Sequence, residues 1–254
     1  MSTGGACGAC RDGTEGLPFD FTMAFQPIVD LARGSVWGYE ALVRGAGGAG
    51  AMEVLSQVTA ENRYSFDQAC RVKAIELAGG LFPPQGGTRL SINFLPNAVY
   101  QPSACIRTTL AAAGRVGFDL HRIAFEFTEN EPADVPHIRR ILAVYSKLGF
   151  ITAIDDFGAG FAGLALLADF QPDLVKIDMA LVRGIAHSPA RQAIVAGIMQ
   201  MSAALGFSVL AEGVETQEEL AALREAGVTL FQGYLFARPQ VERLPQVAGL
   251  TAGT

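Results

Sequence analysis

With 254 residues, 50% of them apolar and 17% charged, the chain is long enough to bury a sizeable core in one large domain, a common size for a parallel α/β barrel. Its formal net charge of -6 argues against a general binder of DNA or RNA duplexes, whose backbone affinity comes from clustered Lys and Arg, but leaves room for a small phosphate ligand met through cations. No apolar run approaches the roughly 20 residues that span a bilayer, so no membrane partner is expected.

Residues 1 to 18 are Gly-rich and polar, end at Pro18 and read as a disordered tail, leaving 19 to 250 as a single domain. The start, Met1-Ser2-Thr3-Gly4-Gly5-Ala6-Cys7, lacks the basic region and apolar core of an export signal, and a cytoplasmic location is expected. Cys7 and Cys10 form a C-x-x-C with no second pair to complete a tetrahedral set. These two, with Cys70 and Cys105, are therefore read as reduced thiols that hold no metal.

Aromatic and β-branched residues predict a strand from Phe21 to Val29, a turn at Asp30 to Gly34 and a second strand from Ser35 to Glu40. So short a loop makes the two strands antiparallel, because a parallel crossover needs a dozen or more residues. Gly45 to Gly50 is a flexible run, and apolar residues at helical spacing predict helices over Met52 to Ala60 and Phe66 to Ala78. An alternation follows: strands Arg89 to Phe94, Arg122 to Phe127, Ile151 to Ile154, Leu174 to Ile177, Ser208 to Ala211 and Val228 to Phe231. Helices lie between them over Ser103 to Ala113, Val135 to Leu148, Leu164 to Ala168 and Ala190 to Leu205. Thr216-Gln217-Glu218-Glu219 opens a further helix as a capping box, and a last helix is expected at Val241 to Val247. Eight strands, the last seven separated by helices, fit a (β/α)₈ TIM-like barrel with a reversed first strand.

The barrel reading gives the polar residues a common address, because such folds collect their chemistry at the carboxyl ends of the strands. Glu40, Asn93, Glu126, the Asp155-Asp156 pair, Lys176, Glu212 and Gln232 each stand at the end of a predicted strand. Successive strand residues face opposite ways, so Asp155 and Asp156 serve one site only where regular geometry breaks, and Gly158 and Gly160 are expected to supply the break. Five carboxylates at one mouth would repel one another, and Lys176 offsets one of the five charges. Two divalent cations would balance the remaining four. Oxygen ligands with an Asn93 carbonyl suit Mg²⁺ or Mn²⁺, and the absence of a strand-end histidine argues against zinc. A two-metal carboxylate site is the usual device for in-line phosphoryl displacement.

The motifs, in order, resemble one family. Gly38-Tyr39-Glu40-Ala41-Leu42-Val43-Arg44 is similar to the signature that names the EAL-domain cyclic di-GMP phosphodiesterases, which have a (β/α)₈-type barrel. Phe25-Gln26-Pro27-Ile28-Val29, Ser91-Ile92-Asn93, Glu126-Phe127-Thr128-Glu129, Asp155-Asp156-Phe157-Gly158-Ala159-Gly160, Val175-Lys176-Ile177-Asp178, Ala211-Glu212-Gly213-Val214-Glu215 and Gln232-Gly233-Tyr234 continue the resemblance. It implies that Glu40, Asn93, Glu126, Asp155, Asp156 and Glu212 ligate two cations, with Asp155 a candidate bridge. Lys176 would orient the attacking water or offset developing charge, and Gln232 would contact the water network. Glu129 would anchor the loop from Asp155 to Phe161, and Gln26, Arg44 and Asp156 would meet the substrate.

The implied reaction is hydrolysis of cyclic di-GMP to linear pGpG, supported by Mg²⁺ or Mn²⁺ and inhibited by Ca²⁺. A homodimer is expected through Phe157, Phe161, Leu164, Leu166 and Leu167. The segment from 45 to 65 departs from the family's longer helix lead-in, so different guanine contacts are expected there. A non-catalytic cyclic di-GMP receptor or protein-interaction module is the alternative, set apart by binding without turnover. An unrelated aldolase- or enolase-type barrel would need another carboxylate order.

Overall fold

The computed structural model describes residues 17–128, 134–159, 163–248 and 250–252. Strands β1 (Phe21–Asp30) and β2 (Ser35–Gly45) pair antiparallel along their whole length. Then come α1 (Ala51–Leu55), α2 (Arg63–Leu81), β3 (Arg89–Asn93), α3 (Pro102–Val116), β4 (Ile123–Thr128), α4 (Val135–Lys147), β5 (Ile151–Phe157) and α5 (Gly163–Asp169). The chain continues through β6 (Leu174–Ile177), α6 (Met179–Val182), α7 (Pro189–Leu205), β7 (Ser208–Ala211), α8 (Gln217–Glu225), β8 (Leu230–Phe231), β9 (Gln240–Val241) and β10 (Thr251–Ala252). Strands β2 to β8 run parallel in sequence order, and β1 lies antiparallel to both β8 and β2. The sheet thereby closes into the expected eight-stranded barrel with one reversed strand, and β9 and β10 add short outer pairings.

Local chemistry sets the helix ends. Ser188 accepts the Arg191 amide ahead of Pro189, and Gly206, at φ +82°, ends α7 in the left-handed conformation that glycine adopts without a Cβ clash. The capping box at Thr216 and Glu219 forms in both directions. Cys70 and Cys105 are free thiols, whereas Cys7, Cys10 and the rest of the tail to residue 16 lie outside the described residues.

Several elements differ from the sequence reading. The antiparallel partner carries β2 five residues past Glu40, so Glu40 lies within the strand. Helix α1 is only five residues long, and α2 begins at Arg63 and ends at Leu81. Strand β5 runs on through both aspartates to Phe157. The helix expected at Val241 to Val247 does not form. Pro245 falls in its middle, where it would remove an amide and clash with the preceding turn, and Glu242 turns back at φ +49°. That segment is instead tied down by the Tyr39 hydroxyl, which donates to the Pro245 carbonyl at 3.2 Å.

The core has two layers. Outside the sheet, Phe25, Phe125, Phe127, Tyr145 and Ile75 fill the space beneath the helices. Inside, Ile28, Ala153, Leu174, Leu210 and Leu230 pack together as a small separate cluster. This inner plug closes the lower barrel and fixes where polar groups can start.

Candidate active site

Alternation along each strand turns the inner plug into a predictor of the mouth. Side chains two apart share a face, so Leu174 in the plug places Lys176 above it, Leu210 places Glu212, Ala153 places Asp155 and Leu230 places Gln232. On reversed β1 the same step from Ile28 runs backwards, to Gln26. All these positions except Lys176 line one cavity of about 410 Å³, together with Glu40, Asn93 and Asp156.

Lys176, fully buried, is the hub. Its Nζ stands 2.7 Å from Glu212 Oε1, 2.9 Å from Glu126 Oε2, 3.1 Å from Asp155 Oδ1 and 3.6 Å from Glu40 Oε2. Ser91 donates to the other oxygen of Glu126. Glu40 accepts from Asn93 Nδ2 at 2.9 Å and Gln232 Nε2 at 2.7 Å, and Gln232 also reaches Gln26 Oε1 at 3.3 Å. Donating through nitrogen leaves the Asn93 carbonyl oxygen for another partner, and Gln232 Oε1 is buried with none among the described residues.

The expected break at the paired aspartates begins at Asp156 itself, ahead of the glycines. Asp156 adopts φ +56°, and the pairing of β5 with β6 slips between Ile154 and Phe157. This irregular step lets neighbours that would diverge both line the cavity, and the Asp156 amide donates to Asp155 Oδ1 at 2.9 Å. Gly158, at φ +98°, continues the turn, whereas Gly160 and Phe161 lie outside the described residues.

Crowding shows in the protonation equilibria. Burial, reinforced by Glu40 and Asp155 and opposed by Lys176, pushes Glu126 up to about 8. Burial and then Asp155 and Asp178 push Asp156 up to about 6. Burial and Asp155 also raise Glu212. Burial alone would lower Lys176, but Asp155, Glu126, Glu212 and Glu40 outweigh it and hold the ammonium charged.

The carboxylates form two overlapping groups in which one oxygen per residue lies within 4.8 Å of the others: Glu40 with Glu126 and Asp155, and Asp155 with Asp156 and Glu212. Asp155 belongs to both. Five carboxylates against one ammonium, with oxygen-only donors, fit hard divalent cations, and two overlapping groups offer places for two.

Not every expected residue joins the cavity. Arg44 faces a neighbouring apolar pocket of about 290 Å³, its guanidinium donating to the Val43 carbonyl. Glu129 lies outside the described residues. Conversely, Asp178, Arg183, Glu215 and Tyr234 line the cavity without an assigned role in the sequence reading. Arg183 is ion-paired to Glu215 and, at 3.6 Å, to Glu219, while the Arg238 guanidinium lies 4.1 Å over the Tyr234 ring. Asp178, Glu215 and Tyr234 fall within the quoted motifs, but Arg183 falls in none. Gly233 lets the β7 and β8 exits touch: a Cβ there would stand 2.0 Å from the Val214 carbonyl oxygen. The Val214 amide donates to the Gln232 carbonyl at 3.0 Å, and the Leu235 amide to that of Val214 at 3.1 Å.

Fold and site together define a TIM-type barrel with an acidic mouth. Within that class the chain belongs to the EAL domain family, whose model matches residues 19–239. Its structure is similar to that of a standalone versatile EAL protein from Vibrio cholerae O395 in its c-di-GMP bound form, with a TM-score of 0.87 and 55% identity, covering 91% of this chain and 97% of that one. Klebsiella pneumoniae BlrP1 in a calcium and cyclic di-GMP complex gives 0.84 and 38%, covering 89% of this chain and 57% of BlrP1. The blue light- and temperature-regulated antirepressor BluF of Escherichia coli K12 is 33% identical over 226 residues, 89% of this chain and 56% of BluF. Several other curated relatives are named cyclic di-GMP phosphodiesterases. The chain spans between 33% and 56% of the length of the first three curated relatives that it matches.

Proposed function

We propose that this chain hydrolyses cyclic di-GMP to linear pGpG, using water activated at a pair of divalent cations, Mg²⁺ or Mn²⁺. The observation that carries the reading is the sharing of Asp155 between two groups of carboxylates around one buried ammonium. Glu40, Asn93, Glu126, Asp155, Asp156 and Glu212 would hold the cations. When bound, these supply Lewis acidity that lowers the pKa of water and neutralises charge on phosphoryl oxygens.

The protein's own groups do the rest. Lys176 holds four carboxylates within 3.6 Å of one point, so the ligand oxygens are gathered before any cation arrives. As phosphorus gains negative charge, the same ammonium offsets it. Gln232 fixes Glu40 through its nitrogen and turns an unpartnered oxygen to the interior, an acceptor for a water proton. Gln26, anchored to the Ala237 carbonyl at 3.2 Å, and Asp156 stand at the cavity wall where substrate enters. Glu129 would anchor the loop beyond Asp155.

The test is incubation of purified protein with cyclic di-GMP and Mg²⁺ or Mn²⁺, followed by chromatographic separation of products. Appearance of pGpG, abolished by EDTA, supports the reading. Binding without turnover selects the receptor reading, which the resemblance to an antirepressor favours. A cytoplasmic site of action agrees with a cyclic dinucleotide substrate, and no helix among the described residues is long and apolar enough to cross a membrane.

We also propose a homodimer, over a smaller surface than the sequence suggests. Phe157, Leu166 and Leu167 are core residues, and Leu164 is left at 64% exposure on α5. Light scattering at tens of micromolar tests this, and a monomer with full activity overturns it.

A further inference from the structure

A second polar cluster lies outside the sheet, between α2 and α4. On α2, Asp67 and Arg71 are one turn apart and fully enclosed, with Arg71 Nη2 2.5 Å from Asp67 Oδ2. Arg71 Nη1 donates to the Tyr145 hydroxyl of α4 at 2.6 Å, and its guanidinium lies 5.3 Å from the Phe94 ring centre and 5.4 Å from that of Phe125. An ion pair so buried gains little stability over an apolar pair of the same size; where retained, it can fix register. The remaining Asp67 oxygen shows what register is fixed, because Oδ1 accepts the Leu95 amide at 2.9 Å.

Leu95 follows Asn93 by two residues, and the residue between them is pinned as well, the Phe94 amide donating to the Glu126 carbonyl at 2.9 Å. The chain leaving β3 is therefore held at both amides after Asn93. The Asn93 side chain in turn donates to Glu40 at 2.9 Å and lines the cavity.

We propose that Asp67 is a positioning residue: its carboxylate, held in place by Arg71, captures the Leu95 amide and so sets where Asn93 sits in the acidic mouth. Asp67 lines the neighbouring apolar pocket and not the catalytic cavity, so it acts through the backbone of β3. The bearing on cation binding rests on the functional reading above; the bearing on Asn93 does not.

Removing one partner alone strands a buried charge and threatens the fold, so the test uses two double variants. Asp67→Asn/Arg71→Met removes the ion pair and keeps an oxygen for the Leu95 amide. Asp67→Leu/Arg71→Met removes the oxygen too. In the metal-free full chain, amide hydrogen exchange at Leu95 and the Asn93 side-chain amide resonances are followed by NMR, and Mn²⁺ affinity by calorimetry. The leucine variant is expected to exchange at Leu95 at least about 10-fold faster, shift the Asn93 resonances and bind Mn²⁺ about 10 to 100-fold more weakly, the range for loss of a group that orients a ligand. The asparagine variant is expected to restore all three. Wild-type exchange and resonances in the leucine variant overturn the proposal, as does equal disturbance in both variants. If the wild-type chain binds no Mn²⁺, the cation reading fails, and the two NMR measurements still decide what Asp67 does.

Discussion

The Asp156 amide donates to the carboxylate of its own neighbour, Asp155, from a left-handed backbone at φ +56°, and this one step brings two consecutive side chains to the same cavity. Conformation and charge at position 156 can be separated. Asn tolerates the left-handed region and lacks the charge, whereas a β-branched residue strains there. Asp156→Asn is expected to keep the wild-type melting temperature and lose activity. Asp156→Val is expected to lose activity and also about 1–3 kcal/mol of stability. Thermal melts beside turnover assays check this, and equal melting of the two variants contradicts the strained-turn account.

Glu40 is the acceptor for both Asn93 and Gln232, so Glu40→Ala strands two donors as well as removing a carboxylate. Turnover is expected to fall at least about 100-fold, beyond the usual cost of an orienting group, with the circular dichroism spectrum unchanged. EDTA is expected to silence the wild-type chain equally. Metal-free turnover would end the two-cation assignment.

Glu126 is fully buried between Ser91 and Lys176, whereas Glu129, three residues further on in the sequence, lies outside the described residues. If Glu129 only steadies the adjacent loop, raised Mg²⁺ should partly restore Glu129→Ala and leave Glu126→Ala inactive. A magnesium titration of both variants measures this, and unrescued, equal loss would make Glu129 a direct ligand.

The pH dependence of the metal-free chain follows from Glu126, which is raised to about 8 from an ordinary 4.5. Between those values the folded chain holds a proton there that the unfolded chain releases, so stability is gained as pH falls through the window and lost as it rises. With EDTA, the melting temperature is expected to be higher at pH 6 than at pH 8.5. Glu126→Gln should flatten that slope, and an unaltered slope would place its origin elsewhere.

An oxygen-only constellation also predicts what calcium does. Ca²⁺ prefers six to eight ligands at about 2.3–2.6 Å, against near-octahedral Mg²⁺ at about 2.0–2.1 Å, and it polarises water less. Cyclic di-GMP is expected to bind with Ca²⁺ and not be cleaved. Parallel calorimetry and chromatography decide, and turnover in Ca²⁺ equal to that in Mg²⁺ would refute the mechanism.

The barrel was legible because its alternation of strands and helices is local, and much of the polar rim because its residues fall at the carboxyl ends of those strands, Asp155, Lys176, Glu212 and Gln232 each two positions past an apolar plug residue. What escaped depends on partners distant in sequence. Strand β2 runs past Glu40 because β1 pairs with all of it. The helix expected at Val241 to Val247 is a different kind of miss, since Pro245, which forbids it, stands in the segment itself. Leu166 and Leu167 look like surface residues until the sheet behind them is in place. Arg183 carries no motif, and only the fold brings it to the cavity.

Gly233 bears on how far this cavity can be reshaped. With 2.0 Å between a would-be Cβ and the Val214 oxygen, no side chain enters without separating the loops that carry Glu212 and Gln232. The β7–β8 side is thus a fused seam, intolerant of insertion or bulk. A library that reshapes the cavity should leave that seam alone and place its diversity toward the neighbouring apolar pocket, which Ala51 and Leu55 of the five-residue α1 line.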